Sequence, residues 1–598
     1  MNTASSPEHT PESRESFSGD SWLKLFVSGQ HDKLNDEFLR MLDYFIRTLF
    51  YGMTAETREL VNSFVENFLY FFCHSGFTIT PQRIEQYLSR HPLIANIVAM
   101  SDFKTTTPWV LQLSQRKDSY FKLLVLYNVK TEIDIDPAVF FNINGFFGSE
   151  WWTYFWLSAP AFCTRETHER IRRHLKDLDD RFMIFGANAR ASYFPVTYVA
   201  PESEKVIKTR LNRLAAEAFA KVSIRNRPDR KKIALASGRW YRSAVYSSLA
   251  PLVHSLKGHY AITLIHYGDE KKVMDQDLFE KTICIQMKNS QMDLAALQDN
   301  EFSAVIYPDI GMNSESIYLS NIRIAPVQIM MYGHPTSTWG STIDYFIGGQ
   351  KVEDLAHAQD NYGERLVVIP GMGVYPVYPD EFTLPPAGTV SDDPLIINCG
   401  WTAQKVTYPL LCALQDILAR AQRKIVFQLF PGGAVVARNG FIPFAKDVLS
   451  MISGENIRIS QNLPRQDYLV KLCAGTFSLD SYPFGGFNTV IDALYCKKPI
   501  VVWETERAYS RFGSATLEII GMRELIARSR EEYVEKTVRM INDDGFRKEM
   551  IEKVAAIDLK AAFAKHEKPD FFCKAVDFLI ENHERLKAEG SREPIIIK

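Results

Sequence analysis

The sequence predicts two successive α/β halves of Rossmann type, preceded by an all-α region. Three observations predict this. From Ser21 to about Leu214, apolar residues recur at helical spacing. From about residue 230, short apolar strands alternate with helical stretches. The same alternation resumes after a Pro- and Gly-rich stretch at 351–392. Such alternation builds a parallel sheet covered by helices.

Each element has its own signal. Residues 1–20 are polar and read as a disordered tail. Phe38, Met41, Leu42, Phe45 and Leu49 share one helix face. Further helices are expected near 55–73, 81–100, 119–127 and 165–180, and no 34-residue self-similarity marks a tetratricopeptide array. The first α/β half has strands at 232–237 (KIALAS), 261–267 (AITLIHY), 304–307 (AVIY), 326–332 (PVQIMMY) and 343–347 (IDYFI). The second has strands at 395–399 (LIINC), 424–430 (KIVFQLF), 457–459 (IRI), 476–479 (TFSL) and 499–503 (PIVVW). Helices at 403–421, 440–453, 465–473, 488–496 and 529–543 fill the gaps. The expected domains are a tail at 1–20, an all-α domain at 21–225, a first Rossmann-like domain at 226–350, a linker at 351–392 and a second Rossmann-like domain at 393–598. Two such halves leave a cleft, and ligands of open α/β sheets sit at the carboxyl ends of the strands.

Composition narrows the function classes. Among 598 residues, Lys+Arg number 69 and Asp+Glu 71, so the net charge of −2 gives no broad basic field for nucleic acid. The polar N-terminus has no apolar core of a secretory signal, and no run reaches the length of a membrane span. Trp151, Trp152 and Trp156 read as a buried aromatic core in preference to an interfacial belt. None of the eight cysteines forms a CxxC pair, which fits free thiols in a reducing cytosol.

Four segments carry chemistry. In Ser481-Tyr482-Pro483-Phe484-Gly485-Gly486-Phe487-Asn488-Thr489-Val490-Ile491-Asp492 a strand end opens into a helix start. Its glycines permit close backbone approach, and the unpaired N–H groups of the helix start suit a diphosphate. Asp492 follows one turn after Asn488, as a carboxylate for sugar hydroxyls; the plainer reading is a connection with Asn488 as N-cap. Gly333-His334-Pro335 ends a strand, so His334 projects toward the cleft or is a satisfied structural histidine. Lys405, in Trp401-Thr402-Ala403-Gln404-Lys405, stands to neutralise a leaving diphosphate or is a solvated first-turn lysine. In Pro464-Arg465-Gln466-Asp467-Tyr468, Tyr468 stands to stack on a base and Arg465 to meet phosphate, or the segment is a Pro-initiated helix.

Taken together, these segments resemble the O-GlcNAc-transferase-like glycosyltransferases, and within them the bacterial cytoplasmic N-glucosyltransferases of high-molecular-weight adhesins. The resemblance is best at Ile310-Gly311-Met312, Ser320–Pro326, Gly333-His334-Pro335 and Pro483-Phe484-Gly485, and it spans about 230–545. It implies a GT-B fold with UDP in the cleft and inverting transfer without a metal or other cofactor. It implies Lys405 at the diphosphate, Pro464 and Arg465 beside the uracil, and Tyr468 stacked there. It also implies Gly485, Gly486, Phe487, Asn488 and Thr489 around the phosphates, Asp492 at the ribose, and His334 with Lys405 in the catalytic role. The sequence departs from the family in two loops. Residues 236–246 hold Arg239 and Arg242 and no histidine, and the 424–430 strand is followed by Pro431-Gly432-Gly433. A DxD in Asp177-Leu178-Asp179-Asp180 would suit a metal–nucleotide, but it lies in a charged helical run and reads as a solvated face.

The expectation is thus a cytoplasmic, UDP-sugar-dependent protein glycosyltransferase. It would move a hexose, glucose first, to Asn in an Asn-X-Ser/Thr sequon of an adhesin-like protein before export. The alternatives are O-linked transfer to Ser/Thr and a non-catalytic UDP-sugar-binding scaffold.

Overall fold

The computed structural model describes residues 18–48, 54–157, 164–176, 178–183, 189–267, 272–285, 287–288, 291–385, 393–432 and 441–598. The expected tail therefore lies almost wholly outside the described residues, as do Asp177, Gly433 and the last part of the 351–392 stretch. The fold is mixed α/β, with a helical N-terminal region and two parallel sheets of GT-B type.

The chain clusters into two compact units, 1–160 with 434–446, and 161–433 with 447–598. In the first, helices from Gly19–Val27 to Gly145–Leu157 enclose a core of rings. Phe38 packs edge-on against Trp22 and Phe68, and Phe64 stacks on Phe68. Trp151, Trp152 and Trp156 are each 1% exposed or less, so they are core. The helix expected at 81–100 is two helices, Pro81–Leu88 and His91–Met100. Pro92 explains the break: it has no N–H to continue the first helix but suits the start of the second. Likewise the helix expected to 180 ends at Lys176.

The second unit holds both sheets. The first sheet has strand order Ile595–Ile596, Arg365–Ile369, Tyr345–Gly349, Val327–Met330, Asn300–Tyr307, Asn226–Ser237, Ala261–His266 and Lys281–Cys284. The second runs Ile457–Ile459, Ile425–Leu429, Leu395–Cys399, Phe477–Leu479, Ile500–Trp503 and Ile526–Ala527. The pairings within both sheets are parallel. Inner strands such as Arg365–Ile369 (RLVVI) and Ile500–Trp503 (IVVW) are near-continuous apolar runs, as burial on both faces requires. In the second sheet Cys399 pairs with both Leu429 and Leu479, so Gly400, Phe430 and Asp480 emerge side by side at the carboxyl edge.

Three expected boundaries are corrected. Residues 351–392 are not all linker, because Arg365–Ile369 is a strand of the first sheet. The chain end does not stay with the second sheet: Ile595 and Ile596 pair with Val367 and Val368. That edge strand offers unpaired backbone and an apolar face, and the Ile-rich C-terminus covers it. Helix Asp570–Glu589 packs on the same sheet, with Tyr345 Oη 3.1 Å from His583 Nδ1. Finally, residues 161–218 cluster with the sheets and not with the helices before them.

The C-terminal strand therefore closes the first sheet. Ile595 and Ile597 are both buried, and Arg592 and Arg365 tie the segment to backbone carbonyls across the edge. Removing residues 591–598 is expected to cost about 3–6 kcal/mol, the scale for two buried aliphatic side chains, read as a lower Tm by calorimetry.

Candidate active site

The carboxyl edge of the second sheet is organised by Asp480. This residue leaves strand Phe477–Leu479 and is 2% exposed. Its Oδ1 accepts from the N–H groups of Ser481 and Gly486, both at 2.8 Å. One carboxylate oxygen thus folds residues 481–486 into a closed turn. Its Oδ2 has no partner among the described residues, and burial pushes the carboxyl up to about 6, against the pull of Lys405. Trp401 Nε1 donates to Leu479 O at 2.8 Å and Tyr533 Oη to Asp480 O at 2.8 Å, fixing the strand end itself.

Beyond this turn begins helix Asn488–Tyr495. Phe487 occupies the N-cap position, and no side chain caps the helix. Asn488 is therefore the first helical residue and not the N-cap. The first-turn N–H groups remain available to an anion. Gly486 is required here, because a Cβ would lie 2.1 Å from Thr489 Oγ1. Lys405, in a short 3₁₀ turn after the Leu395–Cys399 strand, extends its Nζ to Gly485 O at 2.7 Å. Burial pushes its ammonium down to about 8, partly opposed by Asp480. A cation and an uncapped helix start therefore meet at one loop.

His334 comes from the first sheet, after strand Val327–Met330. It is 1% exposed, and its Nδ1 lies 3.3 Å from Ile310 O. A carbonyl only accepts, so Nδ1 carries the hydrogen. Burial, with Lys208 adding to it, holds this imidazole well below its ordinary pKa, hence neutral. Among the described residues Nε2 has no partner, and it is an acceptor. Phe484 joins the two sides. Its ring stacks 6.5 Å from that of His334, and Lys405 Nζ lies 5.1 Å from its centroid. Tyr198 and Tyr509 stack on the same ring at 4.3 and 4.9 Å.

A cavity of about 310 Å³ opens between the two sheets. His334, Lys405 and all of Gly485–Thr489 line it, together with Tyr198, Met312, Tyr332, Phe484 and Phe512. Pro464, Arg465, Tyr468 and Asp492 form a second group, outside that lining. Pro464 caps helix Arg465–Ala474. Arg465 grips Asp492 with both terminal nitrogens, at 2.5 and 2.6 Å. Burial raises the Asp492 carboxyl, and Arg465 opposes the shift. Both residues are thus engaged with each other, where separate contacts to ribose and phosphate were expected. Tyr468 packs edge-on against Phe430, and its Oη has no partner. A Cβ on Gly400 would lie 3.1 Å from this Oη and 3.6 Å from Thr489 Cβ, so Gly400 separates the two groups.

The remaining sequence candidates behave differently. Arg239 bonds Tyr241 Oη and Met312 O, in place of the absent histidines. The DxD does not lie on a solvated helix face: Asp179 falls beyond the helix end, its side chain is 19% exposed, and Arg181 holds it at 2.7 Å. Asp480 and Tyr198 went unnoticed in the sequence. A carboxylate just past a buried strand was the available signal for Asp480. Tyr198 had none, because its four-residue helix lies in a region read as separate from the sheets.

A buried carboxyl with its folded pKa raised favours the protonated form. Its stabilising contribution is full below the unfolded value near 4 and is lost as pH rises to about 6. The loss amounts to about 3 kcal/mol for a shift of this size. Asp480→Asn keeps an oxygen for the two N–H groups, so urea unfolding of this variant should lose the falling slope between pH 4 and 6.5. An unchanged slope would show that Asp480 does not titrate there.

The chain is similar to known proteins. Residues 415–568 match the model for glycosyl transferase family 41. The chain is 24% identical over 471 residues to a UDP-glucose:protein N-beta-glucosyltransferase of Actinobacillus pleuropneumoniae, covering 74% of each chain. It is 28% identical over 235 residues to a probable UDP-N-acetylglucosamine–peptide N-acetylglucosaminyltransferase, SPINDLY, of Petunia hybrida, covering 37% of this chain and 24% of that one. A solved mutant of Thermobaculum terrenum O-GlcNAc transferase superposes with a TM-score of 0.56 at 15% identity, over 96% of this chain and all of the other, which establishes the shared fold. By fold the chain is of GT-B type, and the proteins it resembles are glycosyltransferases of family 41 and its relatives.

Proposed function

We propose that the protein transfers a hexose, glucose first, from a UDP-sugar to the side-chain amide of Asn in an Asn-X-Ser/Thr sequon. The observation that carries this reading is the meeting of Lys405 with the uncapped start of helix Asn488–Tyr495, inside a cleft between two sheets. The likeness to a protein N-beta-glucosyltransferase supports the sugar and the acceptor atom. An adhesin-like protein glycosylated in the cytoplasm before export is the partner that the sequence resemblance implies.

The chemistry follows from charge. As the bond from the anomeric carbon to the diphosphate breaks, negative charge grows on the leaving oxygen. Lys405 and the first-turn N–H groups face that charge and supply what a metal supplies elsewhere. The nucleophile enters from the opposite face of the sugar, which inverts the anomeric configuration. It must also lose a proton, and His334, whose neutral ring lines the cavity and whose Nε2 is a buried acceptor, is the candidate to take it. An amide nitrogen is a poor nucleophile, so positioning carries much of the barrier.

Two experiments test this. Calorimetric UDP binding in the presence of EDTA should weaken by about 1.5–3 kcal/mol in Lys405→Met, the range for a charge-assisted hydrogen bond. Wild-type affinity should fall as pH rises through about 8, where Lys405 loses its proton, and that fall should vanish in the variant. Undiminished affinity in Lys405→Met would remove this residue from the donor site. In the second experiment a sequon peptide is incubated with a panel of UDP-sugars and read by intact mass. One hexose should be added, Asn→Gln in the peptide should abolish it, and His334→Ala should slow it by about 10²-fold or more with the circular dichroism spectrum retained. Transfer that survives Asn→Gln and fails on removal of Ser/Thr would establish O-linkage. UDP binding with no transfer to any acceptor would establish the scaffold.

A further inference from the structure

The loop that carries His334 is gripped from behind by a helix that the sequence did not connect with it. Helix Glu204–Ala218 buries Lys208 completely. Lys208 Nζ donates to Glu204 Oε1 at 2.6 Å, Thr336 Oγ1 at 2.6 Å and Ser337 O at 3.1 Å. All three ammonium hydrogens are thereby satisfied. One turn on, Asn212 Nδ2 donates to Thr338 O at 2.5 Å. Across the loop, Glu364 accepts from Ser337 Oγ at 2.7 Å and from Thr338 N at 2.9 Å. Thr336 is the link to the histidine: its N–H donates to His334 O at 2.7 Å, and its Oγ1 lies 3.5 Å from His334 Nδ1.

A fully buried lysine–glutamate pair is a poor device for stability, because well-packed apolar residues often serve as well. Here two of the three Lys208 contacts lie in the loop next to His334. We propose that Lys208 is a positioning residue for the transfer reaction, fixing the Thr336–Ser337 turn and, through Thr336, the ring of His334. The inference rests on the functional reading above.

The surroundings give Lys208 an electrostatic effect as well. Among the described residues, Lys208 is the charge that acts on His334, while Lys405 lies over the Phe484 ring and Arg190 over the Phe194 ring, the two rings packed near it. Glu204, bonded to Lys208, and Glu364, bonded to the Ser337–Thr338 loop, are the carboxylates that answer Lys208. Lys208 is the charge that adds to burial in holding His334 neutral.

The test uses the full chain with Lys208→Met, the neutral pair Glu204→Gln/Lys208→Met, and Arg213→Met on the exposed face of the same helix as control. Lys208→Met leaves Glu204 buried without its cation, so its Tm falls; the double variant recovers Tm. Neither should recover turnover, with kcat reduced about tenfold or more and UDP affinity within twofold of wild type. With the nearby positive charge gone, His334 protonates more readily, so the acid limb of the pH–rate profile moves to higher pH in both. The ¹³Cε1 resonance of His334, assigned by His334→Gln, should report the same shift. A double variant with wild-type kcat, wild-type acid limb and an unmoved His334 resonance would overturn the proposal and leave the pair a purely structural contact. Should the wild-type protein itself transfer no sugar, the functional reading fails, and the His334 titration alone then decides whether Lys208 sets the state of that ring.

Discussion

Most of the candidate site depends on one oxygen. Oδ1 of Asp480 holds the N–H groups of Ser481 and Gly486 and so determines the path of the loop between them. That path brings Gly485 O to Lys405, sets the Phe484 ring between the two halves of the cleft, and starts helix Asn488–Tyr495 without a cap. The constraint is costly, since a carboxylate is buried with its second oxygen unpartnered. A loop held this firmly needs little reorganisation when charge develops beside it, which is the condition for electrostatic catalysis. The same reasoning accounts for the Trp401 and Tyr533 bonds to the strand end, which fix the base from which Asp480 projects.

The other wall is organised by analogous means. The first sheet supplies His334, but helical residues before that sheet decide how it is held. Tyr198 stacks on Phe484, Phe194 packs against His334, and the helix with Lys208 and Asn212 anchors the loop that follows. The helices between 189 and 218 are thus part of the body that holds the candidate site, consistent with their clustering with the sheets. Neutral His334 and cationic Lys405 both lie against the Phe484 ring on the cavity lining, the groups proposed to accept the proton and to stabilise the leaving charge.

Much of this was legible in the sequence, for identifiable reasons. The strands at 395–399 and 457–459 were read at their observed limits, because buried parallel strands are short apolar runs bounded by polar turns. Lys405, His334 and the Gly485–Thr489 segment were legible because each follows such a strand. What escaped has equally physical causes. Ile595–Ile596 is too short to carry periodicity, and its partner strand is more than two hundred residues away. The Arg465–Asp492 pair joins two helices whose separation in sequence conceals their contact, so each residue was assigned alone. Lys208 carried no signal, because a lysine on an amphipathic helix reads as exposed unless tertiary structure supplies its oxygen partners.

The central claim is that the diphosphate of a UDP-sugar lies at the turn built by Asp480, against Lys405 and the first turn of helix Asn488–Tyr495. Hydrogen–deuterium exchange with and without UDP, in EDTA, addresses it directly. The account predicts that UDP slows exchange in the peptides covering 485–491 and 400–406 while leaving the helices between 19 and 157 unchanged. Protection confined to other segments, or protection that requires an added divalent cation, would contradict it.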